Sequence, residues 1–519
     1  MTQPEQTLRS QVVIGAGGVS VADVVAVARA GASVAVGSDA EAALERSHRL
    51  ASSLVEGDRA VYGLSTGFGA LAERYILPGE RAALQAGLVR SHAATVGAEI
   101  ETEVTRAMML LRAATLAKGY SGVRADLVHG LAALLNAGLT PVVREHGSLG
   151  CSGDLAPLAH VALALIGEGE VVDPDGRRLP AAAALGDAGI SPLVLEAKEG
   201  LALTNGTDGM LAMLCLACTD ASLLLRSAEV AAAMSVEALL GTDQAFLPEL
   251  AELRPHPGQA ASAANMMAVL AGSEVVASHR RGDSRVQDAY SLRCAPQVLG
   301  AARDTLAHAA AVVERELASA IDNPVVLPDG RVASCGNFHG APLGYVADFL
   351  AIALADAASI AERRVDRLLD PARSHGLPAF LAADPGVDSG LMLAQYSAAA
   401  LVSDCRRLAV PASVDSIPTS AMQEDHVSMG WAAARKLRRV IANFTSVVGI
   451  EVMAAARAVE LRAPLAPSPA TAAVVAGLRR SVGGIGPDRH LAPEIDASVE
   501  AVASGGVVAW AESVTGPLG

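Results

Sequence analysis

Three stretches group side chains able to do chemistry. Residues 147–160, GSLGCSGDLAPLAH, place Cys151, Ser152 and Gly153 in a loop just ahead of an apolar helical pattern. A helix N-terminus can favour a thiolate nucleophile at Cys151. On local composition, however, a loop with Ser152 or Asp154 capping the helix that begins near Leu155 explains the same residues. VQDAYSLRC, 286–294, brings together Gln287, Tyr290 and Arg293, and a guanidinium suits a bidentate grip on a carboxylate. SVDSIPTSAMQEDHVSMG, 413–430, sets Glu424, Asp425 and His426 in a row, which by default is an exposed acidic loop. Other motifs point to packing or turns. Cys215 and Cys218 have CxxC spacing on one face of an apolar helix with no second ligand pair near them, so they read as buried thiols. Gly15 to Ser20 lacks the third glycine of a dinucleotide loop, and turn chemistry accounts for it. The scattered histidines show no paired-ligand spacing, so no metal is expected.

The elements that must position these residues are mainly helical. Hydrophobic residues make up 51% of the 519 residues but aromatics only 3%, so the apolar content is chiefly Ala, Val and Leu, which suit closely spaced helices. Residues 11–18 read as a short strand and turn, followed by a capping box from Ser20 to Asp23. Helices are predicted near 38–56, 80–94, 101–118, 124–138 and 155–167, then in long stretches from about 205 to 460. Those at 346–369 and 429–461 exceed the usual helix length and favour a bundle. Small β pieces are predicted near 171–179 and 324–333, where Pro-Asp-Gly turns interrupt valine-containing segments. A Pro- and Ala-rich bend near 463 leads into a terminal helical region, with VTGPLG as a loose tail. Three regions result: 1–204, 205–462 and 463–519.

The formal net charge of −15 disfavours a nucleic-acid or anionic-membrane partner, because binding phosphates needs clustered Lys and Arg. The polar start lacks the basic and apolar regions of a signal peptide, and no apolar run of about 18 residues is free of charge or Pro. Six cysteines in so long a chain do not form a disulfide framework. These features predict a soluble cytoplasmic protein.

Residues 147–160 resemble the prosthetic-group motif of the aromatic amino acid ammonia-lyase and aminomutase family. The resemblance runs from Tyr62 to about residue 460. In that family a tripeptide cyclises to a methylidene-imidazolone. Here Gly153 nitrogen would attack the carbonyl carbon of Cys151, and loss of two waters would turn Ser152 into the methylidene. Glycine offers an unhindered nitrogen and permissive dihedrals, and serine supplies the hydroxyl that leaves. The commonest first residue is Ala, so Cys151 departs from the pattern. Its side chain is expected to hang from the ring as a bystander.

Further segments match in order. VYGLSTGFG, 61–69, resembles the family's mobile loop, which brings Tyr62 to the prosthetic group or substrate. LALTNGT, 201–207, offers Asn205 as a hydrogen-bonding amide. Gln287 and Arg293 fall at substrate-binding positions, with Arg293 on the substrate carboxylate, and GNFHG, 336–340, supplies Phe338 to line the site. Tyr290 falls at the position of the base for the β-proton, a role that requires its pKa of about 10 to fall by roughly 2 to 3 units. Ser91-His92 matches the histidase branch, although some tyrosine-specific members share the His. The Gln-Glu-Asp-His run is more selective: Glu424 would accept the imidazole N–H, where phenylalanine and tyrosine enzymes typically carry an amide. Met422 stands where Asn is frequent.

The resemblance therefore implies a long-helix bundle with small β elements near the N-terminal active-site region. It implies ammonia elimination from L-histidine to give trans-urocanate, the first step of histidine degradation. No external cofactor is implied, and the assembly would be a homotetramer whose sites draw on three chains. Either the amine or the imidazole could add to the methylidene carbon. A tyrosine-directed lyase or 2,3-aminomutase, or a non-catalytic helical scaffold, are the competing readings.

Overall fold

The computed structural model describes residues 10–55, 66–67, 74–283 and 285–519. It begins with two short parallel strands, Gln11–Ile14 and Ser33–Val36, joined through the Val21–Arg29 helix. The capping box is present: Ser20 Oγ accepts from Asp23 N (3.2 Å) and Asp23 Oδ2 accepts from Ser20 N (3.0 Å), satisfying two donors that open the helix. The helices Arg81–His92, Thr102–Ala117, Ala125–Asn136 and Leu155–Leu165 follow, close to the predicted spans. Glu170–Val172 and Arg178–Pro180 pair antiparallel, and Thr140–Pro141 extends them to three strands. Val325–Val326 and Val332–Ala333 form the second predicted hairpin.

Long helices make up the centre. Asp208–Ala238 is apolar almost all round and buried along most of its length, as a helix without a polar face must be. It ends in a Schellman turn: Leu240 takes a left-handed φ of 54° and Gly241 N donates to Val236 O at 2.7 Å. Ala295–Ala318, Ala341–Leu369 and Gly430–Glu460 pack along it. Where the Pro257–Leu270 helix crosses Ala295–Ala318, a Cβ on Gly258 or Gly300 would collide with backbone of the facing helix, so glycine sets how closely these two approach. By length and composition three of the long helical segments could cross a membrane, but most of their apolar windows are buried inside the protein.

One buried ion pair ties three of these helices together. Arg364 Nε and Nη2 donate to Glu451 at 2.5 and 2.9 Å, Ser235 Oγ donates to the same carboxylate at 2.8 Å, and both charged side chains are fully buried. After the bend near 463 come the helices Pro469–Leu478, Ala492–Ala503 and Gly506–Thr515. The C-terminal residues are not loose. Leu518 is buried, its N–H donates to Glu512 Oε1 (2.9 Å), and Gly519 N donates to Asn265 Oδ1 (3.0 Å). These bonds and the apolar contact hold a segment that composition alone marks as a tail.

Candidate active site

The Cys151-Ser152-Gly153 loop lies where four helices begin: Leu155–Leu165, Asp208–Ala238, Ala341–Leu369 and Gly430–Glu460. Each is tied to it by backbone. Asp154 N donates to Gly206 O (2.7 Å), Gly340 N to Gly150 O (3.1 Å) and Met429 N to Leu149 O (2.8 Å). Ser428 Oγ adds a bond to Gly150 O at 2.8 Å. Helix N-termini carry partial positive charge, so their convergence makes the loop a favourable place for developing negative charge.

The capping explanation of this loop does not hold. Asp154 stands at the N-cap position of Leu155–Leu165 but its side chain does not cap that helix. Its Oδ2 accepts instead from Met210 N (2.8 Å), in the first turn of Asp208–Ala238, and its Oδ1 accepts from Ser148 Oγ (2.8 Å). Burial pushes its carboxyl up to about 7, against the lowering effect of these hydrogen bonds. Ser152 does not cap either. Its hydroxyl donates to Glu424 Oε1 at 2.9 Å.

Glu424 is the hub. Besides Ser152 it accepts from Cys151 Sγ (3.1 Å) and Thr419 Oγ1 (2.9 Å), both on Oε2. The Cys151 side chain is therefore in hydrogen-bond contact with Glu424. It is no thiolate: burial, then the charge of Glu424, push the thiol up to about 12. Thr419 and Glu424 are bridged through their backbones, Thr419 N to Glu424 O at 2.9 Å and Glu424 N to Thr419 O at 3.3 Å. The turn between them holds Ser420, Ala421 and Met422 at φ of 50°, 51° and 69°, left-handed values that are costly for such residues.

A cavity of about 810 Å³ opens onto this group, lined by His92, Ser152, Leu155, Asn205, Asn323 and Glu424 among others. His92 ends the Arg81–His92 helix. Ser91 Oγ donates its single proton to Leu88 O (3.0 Å), so in the 3.1 Å contact with His92 Nδ1 the imidazole is the donor. Burial lowers the His92 pKa, an effect partly offset by a hydrogen bond to Leu88 and by the charge of Glu424. Asn205 follows the short Glu199–Thr204 helix. Its Nδ2 donates to Asn323 O (3.0 Å), while its buried Oδ1 has no partner among the described residues. Behind it Lys198 and Asp322, both buried, form a 2.5 Å ion pair that joins the segments carrying Asn205 and Asn323.

One copy of the chain does not bring all the predicted residues together. Gln287, Tyr290 and Arg293 line a separate cavity of about 310 Å³. There Tyr290 is 71% exposed, with the Arg293 guanidinium 4.6 Å from its ring centroid. The segment is held against the Ala341–Leu369 helix, where Arg364 Nη1 donates to Ser291 O (3.3 Å). Phe338 is half-buried in the turn before that helix, outside the lining of the larger cavity, and Tyr62 lies outside the described residues. Cys215 and Cys218 are packed inside Asp208–Ala238, and burial raises both thiols. Sequence reasoning missed Thr419, Asn323 and the Lys198–Asp322 pair. Asn323 and the Lys198–Asp322 pair act on segments more than 100 residues away, and Thr419 reaches Glu424 across an irregular turn with no sequence signature.

The chain belongs to the aromatic amino acid lyase family, whose model matches residues 19–480. It is 61% identical over 508 residues to a histidine ammonia-lyase of Streptomyces avermitilis, covering 98% of this chain and 99% of that protein. It is 50% identical to a histidine ammonia-lyase of Symbiobacterium thermophilum, over 96% of this chain and 97% of that one. Among solved structures, tyrosine aminomutase from Streptomyces globisporus superimposes with a TM-score of 0.93 at 38% identity, covering 98% of this chain and all of that one.

Proposed function

We propose that this chain eliminates ammonia from L-histidine to give trans-urocanate, as the entry reaction of histidine degradation. It is a carbon–nitrogen lyase. The observation that carries the reading is Glu424: a carboxylate in the cavity, 2.9 Å from Ser152 Oγ, where it can accept an imidazole N–H.

The residues fit a methylidene-imidazolone built from Cys151, Ser152 and Gly153. Gly153 has a φ of +73°, and a Cβ there would collide with Gly206 O, so the position admits only glycine. The unpartnered Asn205 Oδ1 provides an acceptor beside the loop. Closure joins Gly153 nitrogen to the Cys151 carbonyl carbon; that carbonyl oxygen leaves as one water and the Ser152 hydroxyl, with the α-proton, as the other. Held by Cys151, Ser152 and Gly153, the finished group would supply an electrophilic carbon to the substrate and so make ammonia a competent leaving group. Glu424 holds the imidazole and favours its cationic form, which stabilises negative charge at the β-carbon. Asn205 Oδ1 orients the ammonium, and His92 closes the other side of the ring site.

Arg293 is the grip on the substrate carboxylate and Tyr290 the base for the β-proton, with Gln287, Phe338 and Tyr62 completing the enclosure. In this reading they come from neighbouring copies in a homotetramer with shared sites. Two features support that assembly: Tyr290 and Arg293 are accessible on a surface away from Ser152, and Tyr345, Phe349 and Ile352 form an exposed apolar stripe on the Ala341–Leu369 helix. Residues 1–204 then carry the prosthetic loop, 205–462 the assembling bundle and 463–519 a terminal helical cover. A cytoplasmic location accords with six free thiols and with the bacterial relatives.

Parallel incubation with L-histidine, L-tyrosine and L-phenylalanine, read by the absorbance of the unsaturated acids, tests the reading. Histidine turnover should dominate, and the 147–160 peptide should be two waters lighter than its sequence mass. Glu424→Gln should lower kcat/KM for histidine by about 100-fold, the scale of losing a charge-assisted hydrogen bond in the transition state. Comparable tyrosine turnover without a selective loss in Glu424→Gln would favour the tyrosine-directed alternative. A peptide of full mass in folded protein would exclude both.

A further inference from the structure

We infer that Cys151 and Thr419 are positioning residues that set the carboxylate of Glu424 to receive an imidazole N–H, and so help select the substrate ring. The inference rests on the histidine reading above. The two carboxylate oxygens are held differently. Oε2 accepts from Cys151 Sγ at 3.1 Å and from Thr419 Oγ1 at 2.9 Å, while Oε1 accepts from Ser152 Oγ at 2.9 Å. When the Ser152 hydroxyl leaves as water, Oε1 loses that donor and Oε2 keeps both of its own. Dehydration thus frees one oxygen of a carboxylate whose other oxygen stays tethered, and a free acceptor in the cavity is what a ring N–H requires.

Each tether suits its task. The Cys151 thiol, pushed up to about 12, keeps its proton at neutral pH and remains a donor. Thr419 is bound to Glu424 through both backbones as well as its hydroxyl, across a turn of three left-handed residues. Its grip therefore fixes the side chain relative to its own main chain. With alanine at 151 the oxygen would keep only one donor, and the carboxylate could turn about its last torsion.

The test uses full-length Cys151→Ala, Cys151→Ser, Thr419→Val and Thr419→Ser. The 147–160 peptide of each is weighed first. Affinities for imidazolepropionate and phenylpropionate, two non-reacting acids, are then measured beside kcat and KM for histidine. Cys151→Ala and Thr419→Val should each weaken the imidazole acid about fivefold relative to the phenyl acid, the worth of one neutral-donor hydrogen bond, with the peptide still two waters lighter. The two serine variants, which keep a donor, should restore the wild-type ratio. An unchanged ratio in dehydrated Cys151→Ala and Thr419→Val overturns the inference and leaves the histidine reading standing. Wild-type protein with neither dehydration nor histidine turnover overturns that reading and the inference with it.

Discussion

Asp154 is a fully buried carboxyl next to the Cys151-Ser152-Gly153 loop, and its pKa gives it a measurable signature. Its folded value of about 7 lies above the ordinary 3.8. Between those values the unfolded chain has released the proton and the folded chain keeps it, so the folded state binds more protons. The contribution of Asp154 to stability is therefore present at low pH and lost as pH rises through 7. Asp154→Asn removes this dependence. Urea unfolding should show wild type losing about 2–3 kcal/mol relative to Asp154→Asn between pH 5 and 7.5. His92 works in the opposite sense: its lowered pKa disfavours folding as pH falls below 6.5, and it is common to both proteins. Met422 supplies a second residue-scale test. It is 67% exposed at a φ of 69°, a conformation that costs Asn less than Met. Met422→Asn should stabilise the protein by about 1 kcal/mol, read as a higher Tm with kcat unchanged within twofold.

Among the elements, the pairing of Arg364 with Glu451 fixes how three long helices meet. Breaking one side leaves a buried charge without its counterpart, so Arg364→Met should cost about 3–5 kcal/mol in denaturant unfolding. Arg364→Met combined with Glu451→Leu should recover much of that loss, because an apolar pair of similar volume needs no compensation. The elements themselves were legible in sequence. Apolar periodicity and the Ser20–Asp23 box located the helices up to Leu165, and Gly430–Glu460, to within a few residues, because helix formation answers to neighbours three and four positions away; Asp208–Ala238 and Ala295–Ala318 were legible only as parts of one long helical stretch, and Ala181–Asp187 was missed. The tail was misread, since the Asn265 and Glu512 contacts that hold it are invisible to composition.

For the whole molecule, the separation of Ser152 from Tyr290 has a direct consequence. If neighbouring copies share sites, a chain lacking one residue can be completed by a chain lacking the other. Ser152→Ala and Tyr290→Phe homo-oligomers should each be inactive, and co-assembled hybrids of the two should recover measurable histidine turnover. Hybrids without activity would mean that Ser152 and Tyr290 of one site come from the same chain, and would overturn the shared-site assembly. The exposed stripe of Tyr345, Phe349 and Ile352 gives the structural counterpart, because an apolar face of this kind is stable in water when covered.

By itself the sequence determined the chemistry available at one loop. Cys151, Ser152 and Gly153 are adjacent, so every atom that a backbone cyclisation would join is present in one tripeptide. It also determined the helices, whose signals are local. Only the tertiary structure decided what the loop faces. Glu424 is 272 residues from Ser152, and Thr419 meets the same carboxylate through a turn that no propensity encodes. It also decided that Cys151 is a hydrogen-bonded neutral thiol and that Asp154 caps a helix other than its own. Such contacts arise from close packing of distant segments, where hydrogen-bond geometry and burial select the partners, and a linear pattern carries no record of them.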